Sequence, residues 1–255
     1  MALAVDIGNT NIVLGCFHGD KIEFVARIAT ELNKTEEQYA AEVKSIIQLY
    51  DKDPKKIEGA IISSVVPPLS NVLKNAVARI TGKTPMVVEP GLKTGLNIKI
   101  DNPAQLGSDL VVTAVAGINH YPLPQVIIDM GTATTFSVIN QKGEYLGGLI
   151  LPGVNLSLRA LSGMTAQLPS IGLTVPKNVI GSNTIDCMNS GVVNGNAAMI
   201  DGLVQRIAEE LGQQPTVVAT GGIAKAIVPY CKTEITLNDN LLLEGLAILY
   251  YKNAK

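Results

Sequence analysis

Apolar residues run through "LAVDI", "NIVLGCF" and "IEFVARIAT", which predicts strands over residues 2–6, 11–17 and 22–30. The turn "HGDK" at 18–21 joins the last two. The period then changes. "TEEQ" at 35–38 has the form of a capping box, and Tyr39, Val43, Ile46, Ile47 and Tyr50 follow at helical spacing along one face. "GAIISSV" reads as a buried strand. After "PP" a second helix carries Leu69, Val72, Leu73, Ala76 and Ile80 on one side, with Gly82 as its stop. "PMVVEP" predicts a short strand and residues 105–120 a helix.

Near residue 124 the order restarts. "QVIID", "TTFSVIN" and "EYLGGLIL" predict three strands, with "NQKG" turning between the second and third. Helical stretches follow at 153–163 and 182–211, then the strand "TVVAT", the pair "GG", a helix, a strand near 233–237 and a last helix from 240. Two halves in one order indicate an internal duplication, with domains expected at 1–117 and 118–255 and a join near 115–124. No Ser- or Pro-rich linker separates them, so the expectation is two halves packed as one unit with a cleft.

Each half opens on the same phrase. "AVDIGNTNIVLG" and "IIDMGTATTFSV" both end an apolar strand in aspartate, then place glycine and small hydroxyl or amide residues before another apolar run. The pattern sets a carboxylate at a strand tip, lets the backbone turn, and leaves N–H groups free to face a ligand. That suits phosphate, with the carboxylate able to hold a hydrated cation. An Asp-Gly hairpin turn explains either motif alone; two copies at equivalent positions are harder to assign to chance. "VVATGGIAKAI" adds a strand ending in Thr220-Gly221-Gly222 before a helix, where glycines admit a flat ring or a phosphate. Gly-Gly at such a junction is often only a connector.

Composition narrows the classes. The 255 residues are 47% hydrophobic and 16% charged, which fits a globular protein large enough to bury a sizeable core. A net charge of −2 without basic clusters argues against nucleic acid as a partner. The richest apolar run, "LLLEGLAILYY", is interrupted by Glu244 and is too short to span a bilayer, and the N-terminus lacks signal-peptide regions, so a cytoplasmic location without membrane contact is expected. Cys16, Cys187 and Cys231 have no ligand spacing, and His18 and His120 are the only histidines, which argues against zinc.

Other nucleotide and catalytic signatures fail. "TGKT" at 81–84 resembles the end of a P-loop, but Val77 stands where its first glycine belongs. Neither a G-x-G-x-x-G after a strand nor a G-x-S-x-G elbow is present.

Two phosphate motifs and one adenosine motif are the arrangement of the acetate and sugar kinase, Hsp70 and actin superfamily. Within it the chain resembles type III pantothenate kinase from end to end. The resemblance rests on "DIGNTN" at 6–11, "NPAQLGSD" at 102–109, "IDMGTATTFSVI" at 128–139, "GGLILPG" at 147–153, "IGSNT" at 180–184, "ATGG" at 219–222 and a C-terminal "LLLEGL". It implies a duplicated ribonuclease-H-like α/β fold: two mixed five-stranded sheets flanked by helices, with a nucleotide cleft between them. It also implies ATP-dependent phosphorylation of pantothenate, the first step of coenzyme A synthesis.

The implied roles follow the motifs. The stretch Asp6, Ile7, Gly8, Asn9, Thr10, Asn11, Ile12 and Val13 would receive the ATP phosphates, with Asp6 acting on magnesium through water. Thr132 would contact phosphate from the second motif, and Asp129 would hold a monovalent cation, potassium or ammonium. Gly221 and Gly222 would border adenosine. Gly107, Ser108, Asp109, Leu110 and Thr184 would hold the substrate, with Asp109 as the base on its hydroxyl. Read without the family, Asp109 is an acid favouring a helix N-terminus. The family places its pocket near a two-fold axis, which implies a homodimer; "SGVVNGNAAMIDG" offers close-packing glycines.

Two positions depart from the family pattern. Leu110 stands where arginine usually follows the aspartate, and Ile100 where an aromatic usually precedes Asp-Asn-Pro. Losing a charged donor costs about 1.5–3 kcal/mol. A second reading therefore stays open: an ATP-binding homologue with impaired catalysis, a regulatory role or another hydroxyl substrate.

Overall fold

A computed structural model of the chain describes residues 1–19 and 21–254; the expected turn at 18–21 includes Asp20 and lies partly outside the described residues. In chain order the elements begin β1 (Ala2–Ile7), β2 (Asn11–His18), β3 (Lys21–Ala29), α1 (Glu36–Leu49), β4 (Gly59–Ser64), α2 (Pro67–Thr81) and β5 (Met86–Val87). Then come β6 (Asn97–Ile98), α3 (Ser108–His120), β7 (Gln125–Met130), β8 (Ala133–Ile139), β9 (Glu144–Pro152) and α4 (Val154–Gly163). The chain finishes with α5 (Thr184–Leu211), β10 (Thr216–Thr220), α6 (Ala224–Ile227), β11 (Thr236–Leu237) and α7 (Leu241–Asn253).

The elements divide into two compact units. The first holds residues 1–96, 102–116 and the segment from Asn240 onward; the second holds 97–101 and 117–239. In the first, β1, β2 and β3 form an antiparallel meander, and β4 joins β1 in parallel to give the order β3-β2-β1-β4-β5. In the second, β7, β8 and β9 repeat the meander and β10 joins β7 in parallel, giving β11-β10-β7-β8-β9-β6. The shared topology is the structural form of the repeat read in the sequence.

Local signals account for the elements of the first unit. Thr35 accepts from the Gln38 N–H at 3.4 Å while Gln38 accepts from the Thr35 N–H at 2.8 Å, so the capping box starts α1. Gly82, at φ 73°, ends α2 in the left-handed region. Between these helices and one face of the sheet lies a core of Leu3, Val5, Ile7, Tyr39, Val43, Ile47, Leu69, Leu73 and Ile80.

The opposite face is covered by α3 and α7, through Val112, Val115, Leu243, Leu246 and Leu249 packed on Ala2, Ala4 and Ile61. Here the structure differs from the expected division at 117/118, which placed everything beyond it in the second half. The reason is packing. Burying a leucine contributes about 1.5–3 kcal/mol, and small residues on β1, β2 and β4 leave room for α7. A Cβ on Gly15 would lie 2.9 Å from Leu243, and one on Gly59 would run into the Tyr250 ring.

The second unit packs Val126, Ile128, Phe136, Val193, Ala197, Ile200, Val217 and Ile227 into its own core. Its sheet has six strands rather than the expected five, because β6 adds a short parallel pair to β9, Asn97 with Glu144 and Ile98 with Tyr145. Among the described residues no helix is long and apolar enough to cross a membrane.

Candidate active site

The first motif follows from the end of β1. Asp6 is buried between Val13 of β2 and Ser63 of β4, where its strand meets both neighbours. The chain then reverses in the turn at Asn9-Thr10, closed by the Gly8 N–H donating to Asn11 O at 3.1 Å. A Cβ on Gly8 would sit 3.0 Å from that same oxygen, so close backbone approach selects glycine. Asn9, Thr10 and Asn11 are exposed, while Ile7 and Ile12 are fully buried. Counted with the phosphate residues from sequence, Ile7 and Ile12 give their side chains to the core and leave only backbone for a ligand. The Val13 side chain packs on the other side of the sheet.

Residues 107–110 form the first turn of α3 and its lead-in. The Gly107 carbonyl accepts from the Val111 N–H at 3.1 Å, starting the helix. The Asp109 Oδ1 accepts from the Leu110 N–H at 2.8 Å, and burial pushes the Asp109 carboxyl above its ordinary range. Ser108 turns the other way. Its hydroxyl lies 3.0 Å from Ser63 Oγ, donates to Ser64 O at 3.0 Å and accepts from the Ser64 N–H at 3.1 Å. These contacts tie α3 to the end of β4. The tie matters because Ser63 is the β4 partner of Asp6.

The second unit repeats the strand-tip carboxylate at Asp129, near the end of β7 and paired with Thr135 on β8 and Thr220 on β10. Gly131 and Thr132 are exposed in the turn, and the Thr132 carbonyl accepts from the Gly153 N–H at 3.2 Å. Gly153 caps α4 and leaves no room for a Cβ against Gly131 O and Thr132 O. It is a supporting residue of this loop, visible in sequence only as the last glycine of "GGLILPG".

The structure brings Gly221 of "ATGG" onto the same strand tip. Gly221 has φ +92°, and a Cβ there would lie 2.5 Å from Asp129 Oδ1 and 2.7 Å from the Met130 backbone. Only glycine fits between β10 and that carboxylate. Gly222 follows in an exposed position, and the Ile223 N–H donates to Met130 O at 3.3 Å.

The other residues expected at the substrate belong to different units. Thr184 is the exposed first residue of α5, behind Asn183, whose side chain accepts from the Asp186 N–H at 3.0 Å. Ile100 belongs to the second unit, with the Cβ position of Gly147 only 3.7 Å away, whereas Leu110 belongs to the first. The second unit also carries an open groove of about 380 Å³, lined by Leu146, Leu149, Leu203, Arg206, Ile207 and Glu210. These residues are distinct from the phosphate motifs.

Taken singly, each strand tip has donors suited to phosphate and a cation. Each joins a carboxylate to an exposed loop of small hydroxyl and amide residues, with glycine where the backbone must come close. Carboxylate oxygens suit a hard cation, and turn amides suit phosphate.

The family model described as type III pantothenate kinase matches residues 2–206. Two proteins of that name are similar over the full length. One, from Brevibacillus brevis, is 42% identical over 253 residues, covering 99% of each chain. The other, from an Exiguobacterium species, is 44% identical over 255 residues, covering 100% of each. Among solved structures, the activator of 2-hydroxyisocaproyl-CoA dehydratase from Clostridium difficile, with bound ADPNP, superposes with a TM-score of 0.60 at 17% identity. The match covers 98% of this chain and 93% of that one. The fold is therefore the duplicated ribonuclease-H-like fold of actin, Hsp70 and the sugar kinases, and the chain belongs to the type III pantothenate kinase family.

Proposed function

We propose that this protein transfers the terminal phosphoryl group of ATP to the primary hydroxyl of pantothenate. One observation carries the reading: in a chain of this family, both units end their central strand in an aspartate beside an exposed polar turn, Asp6 with Asn9–Thr10 and Asp129 with Gly131–Thr132. Magnesium, when bound with ATP, neutralises charge on the phosphates.

The chain's own residues do the rest. Asp6 would hold the magnesium side through water, and the turn at Gly8–Asn11 would receive phosphate oxygens on its backbone. Thr132 supplies a hydroxyl from the second motif, while Gly221 and Gly222 leave space for the adenosine. Asp129 would hold a monovalent cation. Asp109 accepts the proton of the substrate hydroxyl as the new bond forms, from a carboxyl that burial makes more basic than a solvated aspartate. Gly107, Ser108, Leu110 and Thr184 border the acceptor. The assay is formation of 4'-phosphopantothenate from pantothenate and magnesium ATP with potassium present, compared with Asp109→Asn.

A homodimer belongs to the same proposal. The second unit exposes Ile150 at 77%, Met164 at 87%, Val179 at 72% and Ile180 at 87%, large apolar side chains that a second copy of the chain would cover. On α5, Cβ atoms at Gly191, Gly195 and Gly202 would meet open space. Sedimentation should give twice the chain mass. A cytoplasmic location accords with this chemistry, since ATP and pantothenate meet there.

A further inference from the structure

The turn carrying the first phosphate motif is not held by its hairpin alone. The Gly8 and Thr10 carbonyls both point to Thr30, the residue just after β3. Its hydroxyl donates to Gly8 O at 2.6 Å, and its N–H donates to Thr10 O at 3.0 Å. Thr30 is itself fixed through its neighbour. The Glu31 N–H donates to the Tyr39 hydroxyl at 2.9 Å, and that hydroxyl donates to Glu31 O at 2.9 Å. Tyr39 is fully buried in α1. Lys34 lies 5.6 Å over its ring and pairs with Glu31 at 2.8 Å and Glu42 at 2.5 Å. A continuous set of contacts thus runs from the core of the first unit to the exposed turn.

The consequence follows from peptide geometry. In a planar trans peptide the carbonyl and the next N–H point in opposite directions. Holding Gly8 O on Thr30 therefore aims the Asn9 N–H away from β3. If that peptide flipped, it would present a carbonyl oxygen where an anion needs a donor.

Resting on the ATP reading above, we propose that Thr30 is a positioning residue of the phosphate site. It locks the Gly8–Asn9 peptide so that the Asn9 N–H faces a phosphate group of the bound nucleoside triphosphate. Thr30 touches the loop, and the loop touches phosphate.

The test compares wild type, Thr30→Val and Thr30→Ser. The nucleotide-free proteins are followed by amide hydrogen exchange at Gly8, and affinity for magnesium ADPNP is measured by calorimetry. Losing one neutral hydrogen bond predicts exchange faster by roughly fivefold in Thr30→Val, and an ADPNP Kd raised by roughly five- to tenfold. The KM for pantothenate stays within twofold, and Thr30→Ser returns both exchange and affinity to within twofold of wild type. Tyr39→Phe, which removes the anchor behind Thr30, shifts both readouts in the same direction and serves if Thr30→Val fails to fold. Wild-type exchange and affinity in the folded variants overturn the assignment of Thr30. Failure of wild type itself to bind ADPNP instead overturns the nucleotide reading, and this assignment with it.

Discussion

The Asp109 carboxylate accepts the amide hydrogen of Leu110 at 2.8 Å, and a Cβ on Gly107 would lie 2.5 Å from the same carboxylate oxygen. The acid is thus held in one orientation at the start of α3, between a backbone donor and a glycine that leaves it room. Two effects oppose each other there. The amide bond favours the charged form and burial disfavours it; burial is the larger, so the proton is held more tightly than in water.

That balance sets the pH dependence of the reaction. A base must be ionised to act, so kcat should fall as pH drops through the raised value of Asp109. The acid limb should therefore lie above the ordinary aspartate value of 3.8. A rate profile from pH 4 to 8, on protein shown to stay folded, measures it. A limb below 3.8 would exclude Asp109 as the titrating base.

The same shift has a sign in stability. A carboxyl with a folded pKa above its unfolded one binds protons more tightly when folded, so its contribution is greatest at low pH and is lost as pH rises through the folded value. Above the folded value, where the carboxyl is ionised, the half-buried charge opposes folding. Asp109→Asn should raise Tm at pH 7 and lose that advantage towards pH 4, while activity falls by about 10²–10⁴. Thermal melts at the two pH values check the direction.

Gly221→Ala tests the contact between the adenosine motif and Asp129. Its φ of +92° is a conformation that favours glycine, and the added methyl would press on Asp129 Oδ1. Destabilisation of about 1–3 kcal/mol is expected, with weaker ADPNP binding as β10 or Asp129 shifts. Gly212→Ala provides the comparison. It also has positive φ, 69°, but open space around the Cβ, so it should cost stability without weakening nucleotide binding.

Leu110→Arg restores the charged donor that the family pattern carries at this position. A charge-assisted bond to the substrate contributes about 1.5–3 kcal/mol, so the KM for pantothenate should fall about tenfold or more while the KM for ATP is unchanged. Steady-state kinetics with each substrate varied separately resolve the two. No change would mean that another residue already fills this role.

The strand-tip aspartates were legible in sequence because a fully apolar strand that ends in Asp-x-Gly leaves few places for the carboxylate. α7 was legible as a helix but not as part of the first unit. It is apolar on most sides, and the selecting features are gaps at Gly15 and Gly59, far away in the chain. β6 has two paired residues, too few to show a period. The tie from Ser108 to Ser63 and Ser64 was not legible, because which way a hydroxyl turns depends on residues far away in the chain. Thr30 carries no local signal at all, since both of its acceptors lie in the turn before β2.

The central claim is the chemistry itself, and the most direct measurement is phosphopantothenate formed by purified protein from pantothenate, magnesium ATP and potassium. Wild type should turn over steadily and Asp109→Asn should lose about 10²–10⁴ in rate, with ADPNP still bound by the variant. Wild-type protein that binds ADPNP yet forms no more product than Asp109→Asn would contradict it.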